Sequence, residues 1–188
     1  MSTSSENILG AAIRCFMRFG VRRTTMNDIA HEAGLVRQTL YNVYSSKTDI
    51  LCAAIKFQSD KGLNQIREQW SLTDDLGKKL DAYFEHAIVA SYDIIRASAE
   101  AADMISGHNS EGRAQLERVQ AEKIIALTEI LEPYSTAIAT AGLTAGGLAD
   151  YLNSAALGLR DMARSKQHLI SLLGTLRQHI LMVAEPDQ

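Results

Sequence analysis

Apolar residues recur along this chain with a helical period almost from end to end. Between residues 3 and 19, Ile8, Ala12, Phe16 and Phe19 share one face, with Leu9 and Ile13 beside them. Thr3 and Glu6 are spaced as a capping box at the start of that helix. Two shorter patterns follow, about Met26 to Ala33 and about Val36 to Tyr44, joined at Gly34. Thr25 stands before the first as an N-cap, with Asp28 three residues on. Gly34 sits where that helix must stop, and glycine tolerates the left-handed conformation such an end needs. Helices of only about two turns are not stable alone, so both are predicted to pack on the helix before them. That arrangement is a helix-turn-helix.

Beyond it, Ser46-Lys47-Thr48-Asp49 opens a long helix to about Trp70, with Ile50, Ala54 and Phe57 on one side, and Ser71–Asp75 reads as a turn. A second long pattern runs from Leu76 to about Ile105, kinked or split near Ser91–Arg96. The run GHNSEG at 107–112 breaks the chain again. A helix then extends to about Glu132, with Leu116, Ile124, Leu127 and Leu131 on its apolar side and Pro133 at its end. Tyr134–Leu143 has room for one short helical piece. In the last two helices Leu148, Leu152, Ala155, Leu159 and Met162 alternate steps of four and three, as do Leu169, Leu173, Leu176, Ile180 and Val183. Gly146, Gly147, Ala149, Ala156 and Gly158 allow close backbone approach. Such a pair either closes the core of one chain or packs on its copy about a two-fold axis. The expected fold is all-α: a three-helix N-terminal domain over residues 1–50, then a larger helical domain over 51–188.

Composition agrees: 46 % of the 188 residues are hydrophobic and only two are proline. The net charge of −3 does not by itself suggest a polyanion partner, but its distribution does. The first fifty residues carry six Lys and Arg against four Asp and Glu, and the remainder thirteen against eighteen. Cys15 and Cys52 fall within helical patterns without ligand spacing, so they read as small hydrophobes in a reducing compartment. Neither a secretory signal nor a membrane-spanning apolar run is visible, which points to a cytoplasmic protein with no membrane partner.

Catalytic chemistry finds little to stand on. The histidines at 31, 86, 108, 168 and 179 are scattered, and no glycine-rich loop could cradle a phosphate. His86, Asp93 and Glu100 recur every seven residues, but Lys79 extends the same stripe, which marks a solvated face. No catalytic residue, metal site or cofactor is expected. A small helical enzyme is retained only as a rival.

The helix after Gly34 carries more. Val36, Leu40 and Tyr44 form an inward stripe, while Gln38, Tyr41, Asn42 and Ser45 fall opposite and Arg37 lies at the boundary. Amides pair bidentately with adenine edges, arginine suits guanine or phosphate, and a phenol can reach a backbone phosphate. A plain solvated face has the same composition. The tight turn, the short partner helix and the basic residues Arg22, Arg23, Arg37 and Lys47 favour nucleic acid. Arg14 and Arg18 either lie along phosphates or are simply solvated.

Thr24-Thr25, Ile29-Ala30, Ala33-Gly34, Thr39-Leu40-Tyr41, Tyr44 and Ser46-Lys47 together resemble the TetR family of transcriptional regulators. By motif the resemblance covers only the N-terminal quarter. Two departures stand out: Val36 replaces the family's usual serine at the start of the recognition helix, and Gln38 replaces a small residue. The resemblance implies a homodimeric DNA-binding regulator, most often a repressor, released from a palindromic double-stranded operator by a small-molecule effector. It implies base contacts from Gln38, Thr39 and Asn42, phosphate contacts from Thr25, Tyr41 and Lys47, and either from Arg37. It also favours pairing of the last helices through Leu148, Leu152, Ala155, Leu159, Met162, Leu169, Leu173, Leu176 and Ile180. Two such chains would set their recognition helices about 34–36 Å apart. For the effector, Tyr83, Ser91, Tyr92, Ser98, Met104 and Tyr151 are candidates that are also ordinary core residues. A helix-turn-helix that contacts another protein is the remaining alternative.

Overall fold

A computed structural model describes residues 3–97, 100 and 108–185, and every regular element among them is helical. The chain forms two compact units, Met1–Lys61 with Ile94–Val119, and Gly62–Asp93 with Gln120–Gln188.

In the first unit, α1 (Thr3–Arg23) is interrupted at Gly20, whose φ of 78° ends the regular helix just past Phe19. The expected box at Thr3 lies outside the described side chains. Helix α2 (Met26–Glu32) and helix α3 (Arg37–Val43) follow. Between them Gly34 takes φ 68°, its N–H donates to the His31 carbonyl, and Leu35 N–H donates to the Ala30 carbonyl. This pair of bonds is a Schellman end, which requires the left-handed residue that glycine supplies. Helix α4 (Lys47–Trp70) starts in this unit and ends in the other.

Ile8, Leu9, Ala12 and Phe16 of α1, Ile29 and Ala30 of α2, Leu40 of α3 and Ile50, Leu51 and Ala54 of α4 make one buried cluster, with Val119 closing it. Phe19, expected in the α1 stripe, is 40 % exposed. Val36, expected to face inward, is 70 % exposed because it precedes the first helical residue of α3 in an extended conformation.

In the second unit, Asp75 caps α5 (Leu76–Tyr83), accepting from Lys78 N–H at 2.9 Å. A π-helical turn, Phe84–Val89, leads into α6 (Ala90–Ala97). The expected irregularity near Ser91–Arg96 therefore falls earlier, where one wider turn brings Phe84, Ile88 and Val89 all inward. Ser98, Met104, Ile105 and Gly107 lie outside the described residues. After them come α7 (Ser110–Leu131), a 3-10 turn at Glu132–Tyr134 that contains Pro133, α8 (Ser135–Thr140), α9 (Ala145–Met162) and α10 (Lys166–Ala184).

Leu148, Leu152, Leu169, Leu173, Leu176 and Ile180 are each at most 4 % exposed within a single chain. They pack with Tyr83, Ile88 and Leu127 in the core of this unit. The four-three spacing thus closes one chain's core, because α5 and the π-turn need those faces. Ala155 and Leu159 are half-buried against that core. Of the residues expected at the dimer contact, Met162 alone is fully outside, at 79 %.

Helix α10 is also tied to α5 through Arg177, whose Nε lies 2.9 Å from Asp81 Oδ1 and donates to the Gly77 carbonyl at 3.3 Å. A Cβ at Gly77 would run into the end of the Arg177 guanidinium. Alanine at a helical glycine ordinarily gains about 0.5–1 kcal/mol. Here that gain should be cancelled by displacement of the guanidinium. In chemical denaturation, Gly77→Ala is expected to be neutral or destabilising in the native chain and stabilising in an Arg177→Ala background.

Candidate nucleic-acid interface

Helix α3 is held by its Leu40 side chain, which is 0 % exposed. Around that anchor Arg37, Gln38, Tyr41 and Asn42 are exposed and Thr39 is half-buried. The polar residues pair along the helix one turn apart. Arg37 Nη2 donates to the Tyr41 hydroxyl at 3.2 Å, with the guanidinium 5.2 Å from the ring centroid. Gln38 Nε2 donates to Asn42 Oδ1 at 3.2 Å. These i, i+4 contacts pre-align the side chains at a worth of only a few tenths of a kcal/mol, so an incoming partner can reopen them cheaply.

The frame behind this face uses residues that pattern reading assigned elsewhere. Lys47 Nζ donates to the carbonyls of Val21 and Thr24 at 2.7 Å and of Arg22 at 3.2 Å. An ammonium has three protons, so this lysine is committed to the chain after Gly20 and does not stand free for a phosphate. In this structure Lys47, expected at a phosphate, acts as a tie on that segment. Thr25 closes the predicted capping box: its hydroxyl accepts from Asp28 N–H at 3.2 Å and donates to Asp28 Oδ2 at 2.8 Å. The Thr25 N–H, which donates to the same Oδ2 at 2.8 Å, and then the Thr25 hydroxyl hold the Asp28 carboxyl below its ordinary range. Thr25 thus serves first as a cap. Its neighbour Thr24, unassigned by sequence, is buried and donates to the Gly20 carbonyl at 2.7 Å.

Further ties orient the unit. The Tyr44 and Ser5 hydroxyls are 3.1 Å apart, and Asn7 Nδ2 donates to the Ala33 carbonyl at 2.9 Å. Arg14 lies 2.6 Å from Glu32, holding α1 to α2, while Arg18 lies over the Phe19 ring at 5.0 Å. Neither arginine needs a phosphate to account for its position. Nothing in local spacing announces these bonds, since they join residues about 18 to 39 apart in sequence.

Residues 8–54 match the family model described as bacterial regulatory proteins, tetR family. Over those residues the helix-turn-helix is similar to that of the TetR family. The chain is also similar to an uncharacterised HTH-type transcriptional regulator, YezE, of Bacillus subtilis (strain 168), at 26 % identity over 92 residues. That stretch is 49 % of this chain and spans about half, 47 %, of the relative's length. Among solved structures, the fatty acid degradation regulator FadR from Bacillus halodurans superposes with a TM-score of 0.68 at 16 % identity, covering 100 % of this chain and 98 % of that one. A putative TetR-family transcriptional regulator from Rhodococcus sp. superposes at 0.69 with 20 % identity, covering 98 % and 100 %. At such identity the likeness establishes the fold alone: a helix-turn-helix followed by a larger helical body.

The other expected sites separate in the second unit. Tyr83 is fully buried and its hydroxyl donates to Asn153 Oδ1 at 2.5 Å; burial pushes the phenol pKa up. Ser91 Oγ donates to the Ile88 carbonyl at 2.8 Å and accepts from Arg160 Nη1 at 3.3 Å. Tyr92 is buried, whereas Tyr151 is 56 % exposed on the outer side of α9. Tyr151 is therefore not grouped with the other two tyrosines. Among the described residues no His, Cys, Asp and Glu cluster could hold a metal, and no helix is long and apolar enough to cross a membrane.

Removing Lys47 frees three carbonyls, whereas trimming Gln38 frees nothing buried. Lys47→Ala is expected to destabilise the chain by about 1–3 kcal/mol, and Gln38→Ala to change stability by less than about 0.5 kcal/mol. Urea titration followed by circular dichroism separates the two.

Proposed function

We propose that this chain is a sequence-specific, DNA-binding transcriptional regulator that works as a homodimer on a palindromic operator and is released by a small-molecule effector. The observation that carries the reading is the exposed Arg37, Gln38, Tyr41 and Asn42 face on a helix braced by a fully buried Leu40. A helix presented this way matches the major groove in width, and its side chains match base edges and phosphates. DNA contact belongs to residues 1–50, effector and dimer contacts to 51–188. Gln38, Asn42 and Thr39 read bases, Tyr41 and Arg37 reach phosphate, and Thr25 and Lys47 keep the helix pair in place. Repression is the outcome proposed, as the resemblance implies, and the family of the helix-turn-helix is one of regulators rather than enzymes.

The dimer face proposed differs from the one read from spacing. Tyr151, Ala155, Gly158 and Met162 fall on one side of α9 at steps of four, three and four. Tyr151 and Met162 are exposed, and open space lies beside Gly158. On α10, Ile170 is 45 % exposed and open space lies beside Gly174. Exposed large side chains beside bare backbone suit an isologous helix pair. An effector acts by favouring a state whose recognition-helix spacing does not fit the operator, and linkage requires DNA to weaken effector binding by the same factor.

Selection of genomic fragments with purified protein, followed by titration, tests the reading. Gln38→Ala and Asn42→Ala are each expected to cost about 1–3 kcal/mol and relax preference at one base pair. Tyr41→Ala should weaken binding to every sequence alike. Affinity should fall steeply with salt as phosphate counterions are released; flat salt dependence, or no enriched fragment, would sink the proposal. Gly158→Arg is expected to give a monomer by sedimentation while leaving the helical content unchanged.

A further inference from the structure

The second unit keeps two cations on inward-facing sides of its helices. On α7, Gln120 and Lys123 share a side with Leu127 at steps of three and four, and Leu127 is 0 % exposed. On α9, Asn153, Ala156 and Arg160 are spaced the same way, with Asn153 and Ala156 at 2 % and 0 % exposed. The Arg160 side chain is itself only 14 % exposed, and it donates to Ser91 Oγ from α6 at 3.3 Å.

The charges in this cluster do not balance. Arg160 has Asp161, at 2.8 Å, as a half-exposed partner. Among the described residues Lys123 has neither an ion-pair nor a hydrogen-bond partner. Gln120 Oε1 is buried and likewise unpartnered. Burial first, and then Arg160, push the Lys123 ammonium down to about 8. Lys123 is half-buried by exposed area, and a largely desolvated cation without a counter-charge is costly, so a leucine or methionine would serve α7 better if packing were the only demand at that position.

We propose that Lys123 and Arg160 form the head-group site for a small organic carboxylate whose apolar body lies among the neighbouring core residues. With Asp161 offsetting one charge, the site holds a surplus of about one positive charge, which suits a monoanion better than a phosphate dianion. The Gln120 amide, turned by half a rotation, would present its NH2 to the same head group. Ser91 orients the Arg160 guanidinium. The inference rests on the effector reading above and narrows that effector to a carboxylate with an apolar remainder.

The test compares benzoate and octanoate with their neutral counterparts, benzamide and octanamide, by thermal denaturation and calorimetry of the full-length protein. The carboxylates are expected to raise Tm by several degrees and the amides not at all, with the shift abolished in Lys123→Met and reduced at least tenfold in affinity in Arg160→Gln. Lys123→Met supplies its own folding control. A base whose folded pKa lies below its ordinary 10.5 destabilises the fold fully below about pH 8 and progressively less as pH rises towards 10.5. The Met variant should therefore be more stable than the native chain at pH 7, by a margin that closes towards pH 10. Equal shifts with the amides, no shift with either carboxylate, or an undiminished shift in Lys123→Met overturns the proposal. Carboxylate binding that leaves duplex affinity unchanged would sink the effector reading and leave the site standing.

Discussion

Burial of one leucine on a seven-residue helix is the constraint from which the N-terminal unit follows. Helix α3 is too short to form alone, its N-cap Val36 makes no side-chain bond, and Leu40 is its fully buried side chain. Everything that keeps α3 in place is therefore tertiary: the Leu40 contact with Phe16, Ile29 and Ile50 in one cluster, the Gly34 turn, and the Tyr44–Ser5 tie. A helix supported from one side by a single row leaves its remaining faces open. That openness gives Arg37, Gln38, Tyr41 and Asn42 their exposure and so makes the helix usable as a reader of another surface.

The same economy explains the departures from family pattern. A serine at Val36 would add a cap bond; the helix here begins without one and is held by the buried Leu40 instead. Charge in this unit is largely structural: Lys47, Arg14 and Asp28 each satisfy a named partner. The groups left for an external partner are few and sit close together on α3.

In the second unit the balance is reversed, with a large apolar core that tolerates a small polar inclusion. Tyr83 and Asn153 satisfy one another there, which makes their burial cheap. Among the described residues Lys123 and Gln120 Oε1 find no such partner, and unsatisfied groups of this kind mark a place where something other than folding has shaped the sequence. The exposed α9 side, with Tyr151 and Met162 around Gly158, is a separate feature of the same helix. One face of α9 thus serves the core, and another remains exposed.

Much of this was legible in residue order because it is local. Helical period, the Thr25–Asp28 box, the Gly34 stop, the Ser71–Asp75 turn and the Pro133 end all depend on neighbours within about one turn. The outward set on α3 was also readable, since a helix's angular order is set by its period. Period alone cannot say which partner covers an apolar stripe. For that reason Leu148, Leu152, Leu169, Leu173, Leu176 and Ile180 fitted a dimer seam and a monomer core equally until α5 and the π-turn were seen to occupy them. Lys47's three carbonyls, Arg14's bond to Glu32 and the meeting of Lys123 with Arg160 join residues distant in sequence. Such pairings depend on how helices are laid against one another, and only the folded chain decides that.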